Sequence, residues 1–132
     1  MITNIDHIGI AVRSIDETAK IYTDALGLKI RSFEVLDDQK ARTAIIPIGK
    51  TKIELIESTA PDGAIAKFIE SRGEGLHHIA FEVEDIKRAL AEMVKKGIPL
   101  VDEKPRKGVE NMIIAFLHPK GTGRVLLEFV EH

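Results

Sequence analysis

Between residues 4 and 12 the chain alternates its side chains and is rich in Ile and Val, the period-two pattern of a strand with two unlike faces. At Ser14 the period changes. Ser14 and Glu17 stand in the S-x-x-E spacing of a capping box. Ile15, Ala19, Tyr22 and Leu26 then recur every three or four residues, which predicts an amphipathic helix ending at Gly27. Residues 28–36, 41–48 and 51–57 read as strands, broken at Asp37-Asp38 and Gly49-Lys50. Residues 58–75 form a connector. It opens with the turn Ala60-Pro61-Asp62-Gly63, and Ile65, Phe68 and Ile69 predict a short helix within it. The first order then returns: a strand over 77–83, a helix over 85–96 with Asp85 as its N-cap, and strands near 98–103, 111–117 and 124–131. Ile86, Leu90, Met93 and Val94 form the second apolar stripe, and Gly97 ends it.

The two halves echo each other in residues as well as in pattern. The segment from His7 to Ile15 aligns with that from His78 to Ile86, and Ile53-Glu54-Leu55-Ile56-Glu57 aligns with Leu127-Glu128-Phe129-Val130-Glu131. The expected fold is therefore α+β, one domain of two tandem βαβββ modules, about 3–57 and 76–131, joined by 58–75. One helix covers only one face of a four-stranded module. Two such modules sharing a curved mixed sheet would leave their bare faces lining a cleft.

Alternation then assigns side chains to faces. Ile8, Ile10 and Val12 face the first helix, and His7, Gly9 and Ala11 face away. Ile79, Phe81 and Val83 face the second helix, and His78, Ala80 and Glu82 face away. Glu54 and Glu128 fall on matching faces of the closing strands. Two imidazoles and two carboxylates at symmetric positions suit a divalent cation, and the carboxylates offset the cost of burying its charge. His7, Glu54, His78 and Glu128 are thus the expected metal ligands, and small neighbours at Gly9, Ala11 and Ala80 leave room for a substrate. His77 is expected on the helix side as a structural residue, His118 in a turn, and His132 as a mobile residue. Glu57 and Glu131 are expected to be solvated or paired at the sheet edge, and Glu82, on the cleft face beside His78, to face solvent, with a supporting or substrate-contacting role as the alternative. The basic residues around Lys50, Lys52, Lys104, Arg106, Lys107 and Lys120 read as solvated surface, with contact to an anionic substrate tail as the alternative.

Composition narrows the classes. The 132 residues are 44% hydrophobic, enough for a core, and 30% charged, with no apolar run of membrane-spanning length. Nineteen Lys and Arg against 21 Asp and Glu give a net charge of -2, which argues against a nucleic-acid partner. There is no Cys, so thiolate and disulfide chemistry are excluded. Aromatics make up 5% with no Trp, a poor base-stacking surface. The first residues lack a basic region and a cleavage site. The expectation is a cytoplasmic chain with no membrane partner. No glycine-rich phosphate loop and no serine-nucleophile motif is present.

Asp6-His7-Ile-Gly-Ile-Ala-Val, Gly75-Leu76-His77-His78-Ile-Ala-Phe-Glu-Val, Phe116-Leu-His-Pro-Lys120 and Leu126-Leu127-Glu128 together resemble the vicinal oxygen chelate superfamily, the glyoxalase/bleomycin-resistance-like fold. Within it the chain most resembles the methylmalonyl-CoA epimerases, from about residue 3 to residue 131. The resemblance implies an acyl-CoA substrate, a homodimer and a divalent metal, Co(II) first, with Mn(II), Ni(II), Zn(II) or Mg(II) as alternatives. It places the ligands on His7, Glu54, His78 and Glu128. It also implies proton transfer alpha to the thioester through a metal-stabilised enediolate, with Glu128 and Glu54 as catalytic acid–base groups. One departure stands out. Some epimerases carry a further carboxylate on the third strand, where this chain has Ala41-Arg42-Thr43-Ala44.

Three other readings use the same residues. A glyoxalase I acting on a glutathione hemithioacetal would share all four metal positions. An Fe(II) dioxygenase would use His7, His78 and Glu128 but would not want Glu54. A non-enzymatic binding protein would need no metal.

Overall fold

Both long helical segments begin at a side chain that the sequence supplies for the purpose. In the computed structural model, which describes residues 1–132, α1 (Ile15–Lys20) starts at Ser14, whose hydroxyl accepts from Glu17 N–H. α3 (Ile86–Lys95) starts at Asp85, whose carboxylate accepts from Arg88 N–H. The strands are β1 (Ile2–Ala11), β2 (Ser32–Leu36), β3 (Ala41–Ile48), β4 (Thr51–Ser58), β5 (Gly75–Val83), β6 (Arg106–Lys107), β7 (Ile113–Phe116) and β8 (Leu127–Glu131). The connector holds α2 (Ala64–Arg72). No helix is long and apolar enough to cross a membrane.

The chain divides into two compact units. The first is Ile8–His77; the second joins Met1–His7 to His78–His132, so that β1 gives residues to both.

In the first unit the strand order is β2-β3-β4-β1. β2 with β3 and β3 with β4 are antiparallel, and Ile45 stands opposite Glu54. Ile15 and Ala19 of α1 pack on Val12, Ala44, Ile46 and Leu55. The other face is not bare. α2 brings Ile65 and Ile69 onto Ala11, Ala41 and Ile56, so the connector covers part of the side that one helix per module would leave open. The first helix runs to Leu26 as expected, but its last stretch, Ile21–Ala25, widens into a π turn. Residues 28–31 do not join the expected strand. Gly27 turns the chain at φ 71°, and Leu28 and Ile30 pack as coil against the α1 cluster.

In the second unit the order is β1-β5-β8-β7-β6. β5 and β8 run parallel, while β8, β7 and β6 are antiparallel. Ile86, Ala89 and Leu90 of α3 pack on Val83, Ala115, Leu117 and Phe129. Residues 98–103 form no strand. Only Leu100 bridges Leu117 there. The Asp102 carboxylate instead accepts Phe116 N–H at 2.8 Å, the place a neighbouring strand's carbonyl would take. Nor does β7 begin at 111, because Glu110 and Asn111 sit at φ 54° and 59°, outside the extended region. β8 begins at Leu127 and not at 124, because Gly123 and Arg124 both have positive φ. The unforeseen two-residue β6 completes this edge.

Candidate metal centre

The second unit brings three of the four expected ligands together. His7 lies on β1, His78 on β5 and Glu128 on β8, and all three are buried, at 2%, 5% and 3% exposure. β5 and β8 are direct neighbours, with Ala80 registered on Glu128, so sheet pairing carries the imidazole and the carboxylate to one place. His7 Nε2 is 2.9 Å from His78 Nε2 and 2.9 Å from Glu128 Oε1. His78 Nε2 is 3.2 Å from the same oxygen. The imidazoles meet edge to face at 5.0 Å, and Phe116 backs His78 at 5.5 Å in the same manner.

Asp6 fixes how His7 presents itself. Its Oδ2 lies 2.6 Å from His7 Nδ1. A carboxylate can only accept, so Nδ1 carries a proton; on binding a cation Nε2 would give up its own and present a lone pair toward His78 and Glu128. Glu128 Oε1 is close to both nitrogens yet accepts no well-aligned hydrogen bond from either. Burial pushes the Glu128 carboxyl up, but the facing imidazoles outweigh burial and bring it from 4.5 down to about 2. The group is therefore a carboxylate throughout the neutral range.

These three donors fit a divalent cation. They form a borderline nitrogen and oxygen set. Bonds of roughly 2.1 Å at right angles would put donors about 3 Å apart, the spacing seen between these atoms. A buried oxygen without an aligned donor is also what a cation would satisfy.

The remaining candidates fall out as follows. Glu54 lies in the first unit, buried on β4 and on the same side of the strand as the buried Lys52. β3 opposite it carries Ile45 and Thr43 and no acid. His77 packs edge to face on Phe68 at 4.8 Å, the structural part expected of it. His118 accepts Lys120 N–H at the start of a single 3-10 turn. Three expectations are corrected. Lys52 is not solvated surface: it is buried, at 7% exposure. His132 is not without a role: its Nε2 sits 2.6 Å from Asp6 Oδ1. Glu57 and Glu131 are not edge residues. Glu57 accepts Ile15 N–H at 2.9 Å and Glu131 accepts Ile86 N–H at 3.0 Å, each holding the first turn of its unit's helix. The repeat had already aligned these two glutamates; their shared task was the missing part.

Several known proteins resemble this chain. The family described as Glyoxalase/Bleomycin resistance protein/Dioxygenase superfamily matches residues 6–116. The uncharacterized protein YqjC of Bacillus subtilis is 39% identical over 127 residues, 96% of this chain and 91% of that protein. The ethylmalonyl-CoA/methylmalonyl-CoA epimerase of Cereibacter sphaeroides is 32% identical over 130 residues, 97% of each chain. A Streptomyces coelicolor methylmalonyl-CoA epimerase variant solved with 2-nitronate-propionyl-CoA superposes with a TM-score of 0.96 at 36% identity, covering 99% of this chain and 95% of that one. By matched length, identity and fold, this chain belongs to the Glyoxalase/Bleomycin resistance protein/Dioxygenase superfamily and, within it, to the group that includes the methylmalonyl-CoA epimerases.

Proposed function

We propose that this protein is a metal-dependent epimerase that interconverts (R)- and (S)-methylmalonyl-CoA. The observation that carries the reading is the buried cluster of His7, His78 and Glu128, with donor atoms 2.9 to 3.2 Å apart. These three residues would hold the cation, Co(II) in the first instance, and on the family resemblance Glu54 would be a fourth donor. A bound divalent cation supplies Lewis-acid polarisation of carbonyl oxygen. The carbon alpha to a thioester and a carboxylate bears an acidic proton, and epimerisation requires its removal on one face and its return on the other. Glu128 and Glu54 are the two acid–base groups in this proposal. A carboxyl held near 2 by two imidazoles is a weak base. Glu128 therefore gains basicity only by turning an oxygen away from His7 and His78 toward the substrate. The enzyme is cytoplasmic and homodimeric on the same reading, and light scattering on the purified protein tests the second point.

The experiment is deuterium wash-in. Cobalt-loaded wild-type protein in D2O should exchange the alpha proton of methylmalonyl-CoA and interconvert its epimers. Glu128→Gln, assayed at cobalt concentrations that elemental analysis shows to saturate it, should abolish both. Exchange at the wild-type rate in that variant would remove Glu128 from the chemistry. A metal-loaded wild type that converts a glutathione hemithioacetal and leaves methylmalonyl-CoA untouched would replace the epimerase reading.

A further inference from the structure

We infer that His132 is a positioning residue for the metal centre, acting through Asp6 to hold the His7 ring with Nε2 presented to the cation. The inference rests on the metal reading above and adds to it a residue that touches none of the three ligands' donor atoms.

Asp6 is 3% exposed, so its carboxylate must find its partners inside the protein. Its two oxygens are engaged by different rings: Oδ2 lies 2.6 Å from His7 Nδ1, and Oδ1 lies 2.6 Å from His132 Nε2. Both nitrogens donate, because an ionised carboxylate has nothing to give. A carboxylate held at one oxygen can swing about its last torsion, whereas one held at both cannot. His132 thus adds a tether at the second oxygen of Asp6. A fixed Asp6 keeps the proton on His7 Nδ1 and the lone pair on Nε2. Glu82 Oε2 stands 3.5 Å from the same His132 nitrogen, and Thr3 hydrogen-bonds Glu82 at 3.4 Å, so the second unit steadies His132 as well. His132 and Asp6 are 126 positions apart, and β8, which ends beside His132, also carries Glu128. Partners behind a ligating histidine typically change metal affinity by about 10–100-fold when removed.

The test is cobalt affinity by competition with a chelator, alongside the visible spectrum of the bound cobalt. His132 is half-exposed, so its truncation does not empty the core. His132→Ala should weaken cobalt binding about tenfold and alter the spectrum, while the metal-free protein still melts in one cooperative transition, somewhat lower because Asp6 loses a donor. His132→Gln keeps an N–H donor at similar reach and should restore the affinity to within about threefold. Asp6→Ala should weaken binding at least as much as His132→Ala, and the double variant should be no weaker than Asp6→Ala alone. Wild-type protein that takes up no cobalt would overturn the metal reading and this inference with it. Wild-type uptake with an unchanged affinity in His132→Ala would overturn the inference alone. Additive losses in the double variant, or a glutamine variant no better than the alanine one, would do the same.

Discussion

Replacing Glu128 by Gln should change how acid unfolds the protein, and the structure sets the size of the effect. Glu128 is buried beside two imidazoles that bring its carboxyl from 4.5 to about 2. The folded state thus holds the charged form more tightly than the unfolded chain does. Its contribution is complete above the unfolded value and is lost as the pH falls toward the folded one. A difference of about 2.5 units corresponds to about 3 kcal/mol at neutral pH. Integrating the linkage, about 2 kcal/mol of this disappears between pH 5 and pH 3. Glutamine is nearly isosteric and does not titrate, so Glu128→Gln lacks that slope. The assay is urea unfolding of chelator-treated wild-type and variant protein at pH 5, 4 and 3, read as the difference in extrapolated stability. The wild-type advantage should shrink by about 2 kcal/mol over that range. A constant difference would show that the imidazoles do not hold the carboxylate as described.

Three further outcomes follow from the packing and the site. Glu131→Ala removes the acceptor of Ile86 N–H and should cost about 1–2 kcal/mol in urea unfolding, through the first turn of α3; an unchanged midpoint would show that water replaces it freely. Phe129→Ala, in the buried cluster beneath α3, should cost about 3–5 kcal/mol in the same assay, and a loss below 1 kcal/mol would mean that the cluster closes around the gap. Dialysis against a chelator should silence epimerisation, and cobalt should restore it. Cobalt at 100 times its dissociation constant should also raise unfolding stability by about 2.7 kcal/mol, readable in the melting curve.

What the residues determine alone is local. Period-two alternation assigns His7 and His78 to the faces away from the helices, and Ser14 and Asp85 start the two long helices because a capping side chain acts within three residues of itself. The duplicated order of strands, and the convergence of His78 with the later Glu128, are likewise legible, since a repeat copies positions together with their faces. What lay beyond reach depends on neighbours distant in the chain. Residues 98–103 look like a strand, but the Asp102 carboxylate takes the Phe116 N–H that a strand carbonyl would have taken. Glu57 and Glu131 look like edge residues, and each turns out to satisfy a helix N–H from 42 or 45 positions away. His132 looks free and proves to be tied to Asp6. Alternation states which way a side chain points along its own strand. Which donor or acceptor meets it there is set by sheet order and register, and these exist only once the strands have paired.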